Sequence, residues 1–293
     1  MNILTFDIEE WYLEKVYYGN RESQYLNYDY YLRSILDILD ETNQKATFFC
    51  VGKLATMYPE VVKLIAEKGH EIGCHSDVHL WLTRFDRQQL KEDTHSAVVA
   101  LEDLVGKKVT SYRAPAFSIC PENKWAFEVL AECGIEFDAS IYPSKRDFGG
   151  FPSFDVDKPC LVKVGDVILK EFPVSMVNIL GRSMAYSGGG YFRLFPYWFV
   201  KKQIQNSEYS IVYFHIADLM PLADNKLQSK ENFEQQFGIE GSIINRMMRH
   251  FKESVGRNSA FERMSRLIRE CDFVNLVDAA ECINWNSAGV VEL

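Results

Sequence analysis

Residues 1–11 read MNILTFDIEEW, and the residue types in this stretch decide how the whole chain is read. Ile3, Leu4, Thr5 and Phe6 form the apolar run of a buried strand, yet the run ends in Asp7, Glu9 and Glu10. Like charges crowded at the end of a buried strand repel one another unless a cation or a partner offsets them. A solvated strand end leading into an acidic helix start is the plain reading of such a run taken alone. Alternation along a strand puts Asp7 and Glu9 on one side and turns Ile8 away into packing.

Outward from this strand, apolar β-rich runs alternate with amphipathic helical patterns. Residues 46–52, 71–75, 109–115, 135–140 and 209–216 read as strands. Helical spacing of apolar residues marks 30–43, 59–70 (opened by Pro59 and stopped by Gly69), 87–105 and 121–133. Further helices are expected at 241–254 and 259–270, and a last strand and helix at 273–283. Between 141 and 194 the alternation fails, giving hairpin-like strands and a glycine-rich loop, YSGGGYFRLFPYW. Strand–helix units with no linker or repeat imply α/β architecture. The expectation is one domain over 1–293, a (β/α) barrel of parallel strands with an insertion at about 141–194. A doubly wound open sheet is the alternative, but no GxGxxG follows the first strand.

Composition narrows the function. The chain has 293 residues, 47% of them hydrophobic and 25% charged, which is ordinary for a globular protein. A net charge of −9 argues against gripping nucleic acid phosphates. Seven scattered cysteines without CxxC spacing read as reduced, buried thiols. The start lacks the pattern of a signal peptide and no run is long enough for a membrane span, so a cytoplasmic protein is expected.

In α/β barrels the chemistry gathers at the carboxyl ends of strands. Here those ends carry Asp7 and Glu9, then His75 and His79 in HSDVH, Arg113 to Phe117 in RAPAF, Asp138 and Ser140, and His215. Spacing of i and i+4 would bring His75 and His79 onto one side of a helical turn. Two histidines and a carboxylate are a common ligand set for a hydrolytic divalent metal. One carboxylate could then bind the metal while the other serves its water, which would explain why the charges are tolerated.

TFDIEEW, HSDVH, RAPAF, FDAS and FHI occur in an order and spacing that resemble the polysaccharide deacetylase family, the NodB-homology or carbohydrate esterase family 4 enzymes. The resemblance covers about 2–140 and 205–285. It implies a distorted barrel of about seven strands and the removal of N-acetyl, sometimes O-acetyl, groups from glycans with a divalent metal, usually zinc. By the same resemblance Asp7 is the catalytic base, His75 and His79 bind metal, and Arg113 pairs with and orients the base. Asp138 is an acid near the catalytic histidine and His215 is the general acid. Where the family usually has a second aspartate, this chain has Ile8. The pattern is then similar to a subfamily linked to exopolysaccharide export, in which the ligand shifts to Glu9. GGGYFRLFPYW resembles that subfamily too. Glu10 is the other candidate ligand, disfavoured by alternation.

Trp11, Phe117, Tyr191 and Arg193 are candidate substrate contacts. Trp11 and Phe117 are of types more often found packing than carrying sugars, and His215 is also readable as a core histidine and Asp138 as a strand cap. The functional expectation is a carbohydrate deacetylase, a hydrolase of carbon–nitrogen bonds other than peptide bonds, acting on an acetylated glycan. An amidohydrolase of small amides and a non-catalytic glycan-binding protein are the alternatives.

Overall fold

A computed structural model describes residues 1–293 except 20, 147, 180 and 222–226, and except the side chains of 182 and 235–237. The main sheet uses β1 (Asn2–Ile8), β2 (Thr47–Cys50), β3 (Glu71–Cys74), β4 (Ser111–Tyr112) and β5 (Phe137–Asp138). The second half adds β6 (Cys160–Val164), β7 (Val167–Glu171), a separate hairpin of β8 (Met176–Ile179) and β9 (Arg182–Ala185), then β10 (Ser210–His215) and β11 (Val290–Glu292). The order across the sheet is β10-β1-β2-β3-β4-β5-β7-β6-β11. From β10 to β7 every pairing is parallel, so seven parallel strands form the frame. This is an α/β fold of the expected kind. Among the described residues no ladder joins β7 to β10. Instead Tyr209 Oη donates to Pro173 O at 2.8 Å and Ile211 N–H to Ser175 Oγ at 2.8 Å, drawing the segment after β7 onto β10.

β1 shows why the strands sit as they do. Leu4, Phe6 and Ile8 pack in the main core with helical residues such as Leu32 and Ile35. On the opposite face Ile3 packs with Phe49, Phe137, Phe172 and Ile211, closed from below by Leu276 and Ala279 of helix Leu276–Glu281. Thr5 and Asp7 follow Ile3 on that face, so it is apolar at the amino end of the strands and polar at the carboxyl end. Helices end where local chemistry predicts. Arg87–Val105 opens with a capping box of Asp86 and Gln89 and stops at Gly106, whose φ of 68° suits glycine.

Four expectations need correction. The strands expected at 109–115 and 135–140 shrink to two residues each because the chain turns off to build the site. The helix expected at 121–133 is split into Pro121–Asn123 and Ala126–Glu132. Val274 makes a single bridge to Ile3 rather than a strand. Residues 141–194 do not all stand outside the sheet, since β7 pairs directly with β5. Hairpin alternation hid this, because β7 is antiparallel to β6 on its other side. Of the seven thiols five are buried, whereas Cys133 is half-buried and Cys282 exposed. No helix among the described residues is long and apolar enough to cross a membrane.

Candidate active site

The ladder register assembles the site. Asp7 pairs with His215 across β1 and β10, and with Phe49 across β1 and β2. One residue past β3, His75 N–H bonds Cys50 O at 3.0 Å. One residue past β4, Arg113 N–H bonds Cys74 O at 2.9 Å. His75 and Arg113 are thus neighbours, and His75 Nδ1 lies 2.7 Å from Arg113 O. A carbonyl only accepts, so Nδ1 carries the proton and Nε2 presents a lone pair.

That lone pair is 3.5 Å from Glu9 Oε2, which is itself 2.6 Å from His79 Nε2. His75 Nε2 is buried with no hydrogen-bond partner. One ligand atom each from Glu9, His75 and His79 lies within 4.8 Å of the others. Electron pairs converging on one point call for a cation between them, and two imidazoles with one carboxylate suit zinc or a similar divalent ion. The Nδ1–H···O=C bond of His75 is the kind of support that fixes a metal-binding imidazole. Burial acts to raise the Glu9 pKa, but the charges of His79 and His215 and the close contact with His79 hold it well below the usual carboxylate range.

The segment 75–79 is not the helical turn expected from its spacing. Ser76 and His79 have φ of 65° and 56°, a left-handed pair that folds the loop back so both rings face Glu9. Their ring centroids are 5.0 Å apart. Ala116 and Phe117, at φ of 55° and 54°, repeat the pattern in RAPAF. Such backbone persists in non-glycine residues only where the surroundings over-determine it.

Arg113 is fully buried. Its Nη1 donates to Asp7 Oδ1 and Thr5 Oγ1, each at 2.8 Å, and its Nε to Ala139 O at 3.2 Å. The other Asp7 oxygen, Oδ2, is 3.7 Å from His215 Nε2, which is also 3.8 Å from Glu9 Oε1. Burial alone would lower the His215 pKa. Glu9, Asp218 and Asp7 outweigh it and push the imidazole up to about 10.

Several partners escaped the sequence reading. His215 Nδ1 is 3.0 Å from Asp218 Oδ2, and Arg193 Nη1 donates to Asp218 Oδ1 at 2.5 Å. Burial would raise the Asp218 pKa, but its bond to His215 and the charges of His215, Arg193 and Arg257 pull it far down. A Cβ on Gly189 would meet Asp218 Oδ2 at 2.0 Å, and one on Gly188 would meet the Tyr213 ring at 2.0 Å. The glycine triplet therefore lets the 188–194 segment close against the His215 loop. Glu10 Oε1 accepts from Ala217 N–H at 2.8 Å. Burial and the Glu9 charge raise its pKa to about 7.

Asp138 lies away from His215 in the hydrogen-bond pattern. Its oxygens accept from Ser140 Oγ at 2.6 Å and Ser140 N–H at 3.1 Å, and its carboxyl also bonds Glu171. Burial, then the Asp138 charge, raises the Glu171 pKa well above the carboxylate range, so Glu171 is a neutral acid that donates to Asp138. Ser140 Oγ in turn accepts from Ala114 N–H at 2.7 Å, which steadies the residue after Arg113.

Among the four candidate substrate contacts, Trp11 is only 2% exposed, its indole N–H given to Asp29 Oδ1 at 3.2 Å and its ring packed on Tyr28. Phe117 is buried against Tyr213, with ring centroids 4.9 Å apart, and Arg193 is buried on Asp218. Tyr191 is half-buried beside Phe195 and bonds Tyr142. Packing takes the surface of the first three.

Residues 4–137 match the family model for polysaccharide deacetylase, and residues 139–281 match a domain of unknown function (DUF3473). A peptidoglycan-N-acetylglucosamine deacetylase of Bacillus cereus is 36% identical over 95 residues, covering 32% of this chain and 34% of its own length. A provisionally assigned polysaccharide deacetylase of known structure from Mycobacterium smegmatis superposes with a TM-score of 0.65 at 21% identity, covering 100% of this chain and 92% of its own. PuuE allantoinase superposes with a TM-score of 0.58 at 14% identity, covering 96% of this chain and 88% of its own. The two superpositions are likenesses of fold. The chain spans about a third of the length of the Bacillus cereus relative.

Proposed function

Residues 4–137 match the polysaccharide deacetylase family, and from that match we propose that the chain is a member of it that hydrolyses acetamido groups on a glycan, releasing acetate and leaving a free amino sugar. The carrying observation is the pairing of Asp7 with His215 directly beside the Glu9, His75 and His79 set. A divalent cation held by those three residues, zinc in our reading, would supply Lewis acidity to the acetyl carbonyl and to water.

The chain's own residues do the proton work. Arg113 occupies Asp7 Oδ1 and leaves Oδ2 turned towards the space shared with His215. Asp7 Oδ2 takes a proton from water as the water oxygen bonds to the acetyl carbon. His215 Nε2–H gives its proton to the sugar nitrogen as the carbon–nitrogen bond breaks. Asp218 accepts from His215 Nδ1, so the ring is fixed with its other nitrogen aimed at the reacting atoms, and Arg193 fixes Asp218 in turn. In this reading Arg193 positions the acid, while Asp138 and Glu171 brace Arg113 from behind. We further propose that the two matched segments form one catalytic unit, because Asp7 comes from the first and His215 from the second.

The test is acetate release from N-acetylglucosamine oligomers by purified protein with and without added zinc, alongside metal content. We expect release that depends on zinc, and loss of both metal and release in His75→Ala. A zinc-loaded protein that frees no acetate from any N-acetylated glycan overturns the proposal. If that protein instead cleaved a small cyclic amide, the small-amide alternative would take its place.

A further inference from the structure

Beside the site is a cleft of about 610 Å³ walled by the loops that follow β3, β4 and β5 and closed on one side by Gly238 and Ile239. Trp81, two residues past His79, lines it, as do Phe148, Arg84, Lys145 and Arg146. Leu82 N–H bonds Ser118 Oγ at 2.9 Å, and Gly150 N–H bonds Phe117 O at 3.2 Å, so all three loops are tied together at RAPAF. The cleft and the catalytic groups share this support.

The two arginines in the cleft are held by rings, with no ion pair to a described acid. Arg84 Cζ lies 4.3 Å from the centre of the Trp81 ring, which is itself stacked 3.8 Å from Phe148. Arg146 Cζ lies 4.5 Å from the Tyr142 ring and 5.5 Å from Phe117, whose ring also lies 5.5 Å from Arg113 Cζ. None of Arg84, Lys145 and Arg146 makes a salt bridge to a described residue. Among the described residues that line the cleft, the one acid, Glu122, is exposed. Stacking on a ring fixes a guanidinium without cancelling its charge, and leaves N–H groups at its edge for a planar anion. Arg146 gives one of its five donors to Tyr142 and makes no other side-chain hydrogen bond to a described residue. Three cations gathered in one cleft of a chain whose net charge is −9 are a local departure from its overall balance.

We propose that this cleft is a subsite for an anionic substituent, a carboxylate or a phosphate, on a sugar of the glycan chain. The proposal takes the glycan from the deacetylase reading and adds charge as the basis of its selectivity. Arg84 and Arg146 grip the anion, and Lys145 adds unspecific attraction at the rim.

Calorimetry on the zinc-loaded Asp7→Asn protein tests it without turnover. The probes are a neutral N-acetylglucosamine tetrasaccharide, tetrasaccharides with alternate sugars bearing a lactyl ether carboxylate or a C6 carboxylate, and one bearing a phosphate monoester. At least one charged probe should bind roughly tenfold or more tighter than the neutral one, the size of a charge-assisted hydrogen bond or two. Which probe wins identifies the anion. Arg84→Gln and Arg146→Gln, each checked for an unchanged melting temperature, should erase that preference and leave the neutral probe within about twofold. Equal binding of neutral and charged probes by the parent protein overturns the subsite, as does a variant that weakens both kinds alike. A protein that shows the preference but releases no acetate in its native form overturns the deacetylase reading and keeps the anion subsite.

Discussion

The chain's two halves reach one site by different routes. In residues 2–138 a regular strand–helix rhythm sets one functional group after another at successive strand ends, as Asp7, His75 and Arg113 show. In residues 139–293 two frame strands do this, β10 with His215 and β7 with Glu171. The other contributions come from close approach: Asp218 from the turn after β10 and Arg193 from behind the glycines. In the proposed mechanism the first half supplies electron-pair donors and the base, and the second supplies the acid and the groups that hold it. A regular unit makes function readable from spacing, whereas an irregular one makes it depend on packing.

Changes in the first half should therefore strike chemistry directly, and those in the second should act through geometry. The largest effect is expected for Asp7→Asn. Turnover should fall by about 10² to 10⁴, the range for a lost general base, while zinc content stays near that of the parent. Acetate release and metal analysis on one preparation check both. If zinc left with the carboxylate, Asp7 would be a ligand and the division between Asp7 and Glu9 would collapse.

Next comes Asp218→Asn, which tests whether the second half acts by orientation. The amide can still meet His215, but without the charge that favours the imidazolium. We expect roughly a 10- to 100-fold loss on an N-acetyl sugar and only a few-fold loss on an acetyl ester with a good leaving group. The ester hardly needs a proton, so kcat on the two substrates separates a role in acid catalysis from a general structural one. Similar losses on both would make Asp218 structural. Arg193→Ala should show the same split in weaker form.

How much of this the sequence carries differs by residue. Glu9, His75, His79, Asp7 and His215 are legible because strand alternation and motif order place them, whichever way the intervening loops run. The left-handed bends at Ser76 and His79 are not legible, since neither residue is a glycine. Asp218 stands three residues from His215, a visible spacing, but its meaning depends on Arg193 and Gly189 arriving from elsewhere. Asp138 shows the reverse. The family resemblance implies a place beside His215, whereas Ser140 and Glu171 claim its oxygens. Trp11, beside the acidic run, is a core residue because Tyr28 and Asp29 of a helix lie across from it.

Glu171 gives a third prediction, smaller and in stability. As a neutral acid it donates to Asp138 and accepts from Ile141 N–H at 3.0 Å. Glu171→Ala removes both bonds inside the protein and should cost about 2 to 3 kcal/mol in chemical denaturation. Glu171→Gln can make both bonds and should cost less. Its pH behaviour is also distinct. A carboxyl whose folded pKa is raised keeps its full contribution below the usual carboxylate pKa and loses it as pH rises through the folded value. The parent should therefore lose stability relative to Glu171→Gln on going from pH 5 to more alkaline conditions. A parent that gained on the variant over that range would mean Glu171 is ionised in the fold.

The smallest effect sets one histidine from each half against the other. His70, in the first half, is buried, with Nδ1 accepting from Ala46 N–H at 3.4 Å and Nε2 unpartnered. Burial, helped by Lys45, lowers its pKa to about 4, whereas acidic neighbours push His215 up to about 10. The neutral form of His70 belongs to the folded chain, so between about pH 6.5 and 4 the unfolded chain binds more protons. Its contribution is then complete above pH 6.5 and is lost as pH falls through the folded value, by at most about 1.4 kcal/mol per pH unit. His70→Gln keeps an acceptor for Ala46 and cannot titrate. Between pH 7 and pH 5 the parent should therefore lose about 1 to 2 kcal/mol more than this variant, read from urea midpoints at a common m-value. Parallel losses would place an ordinary imidazole at position 70. The contrast between a histidine silenced by packing and one charged by its partners would then rest on His215 alone.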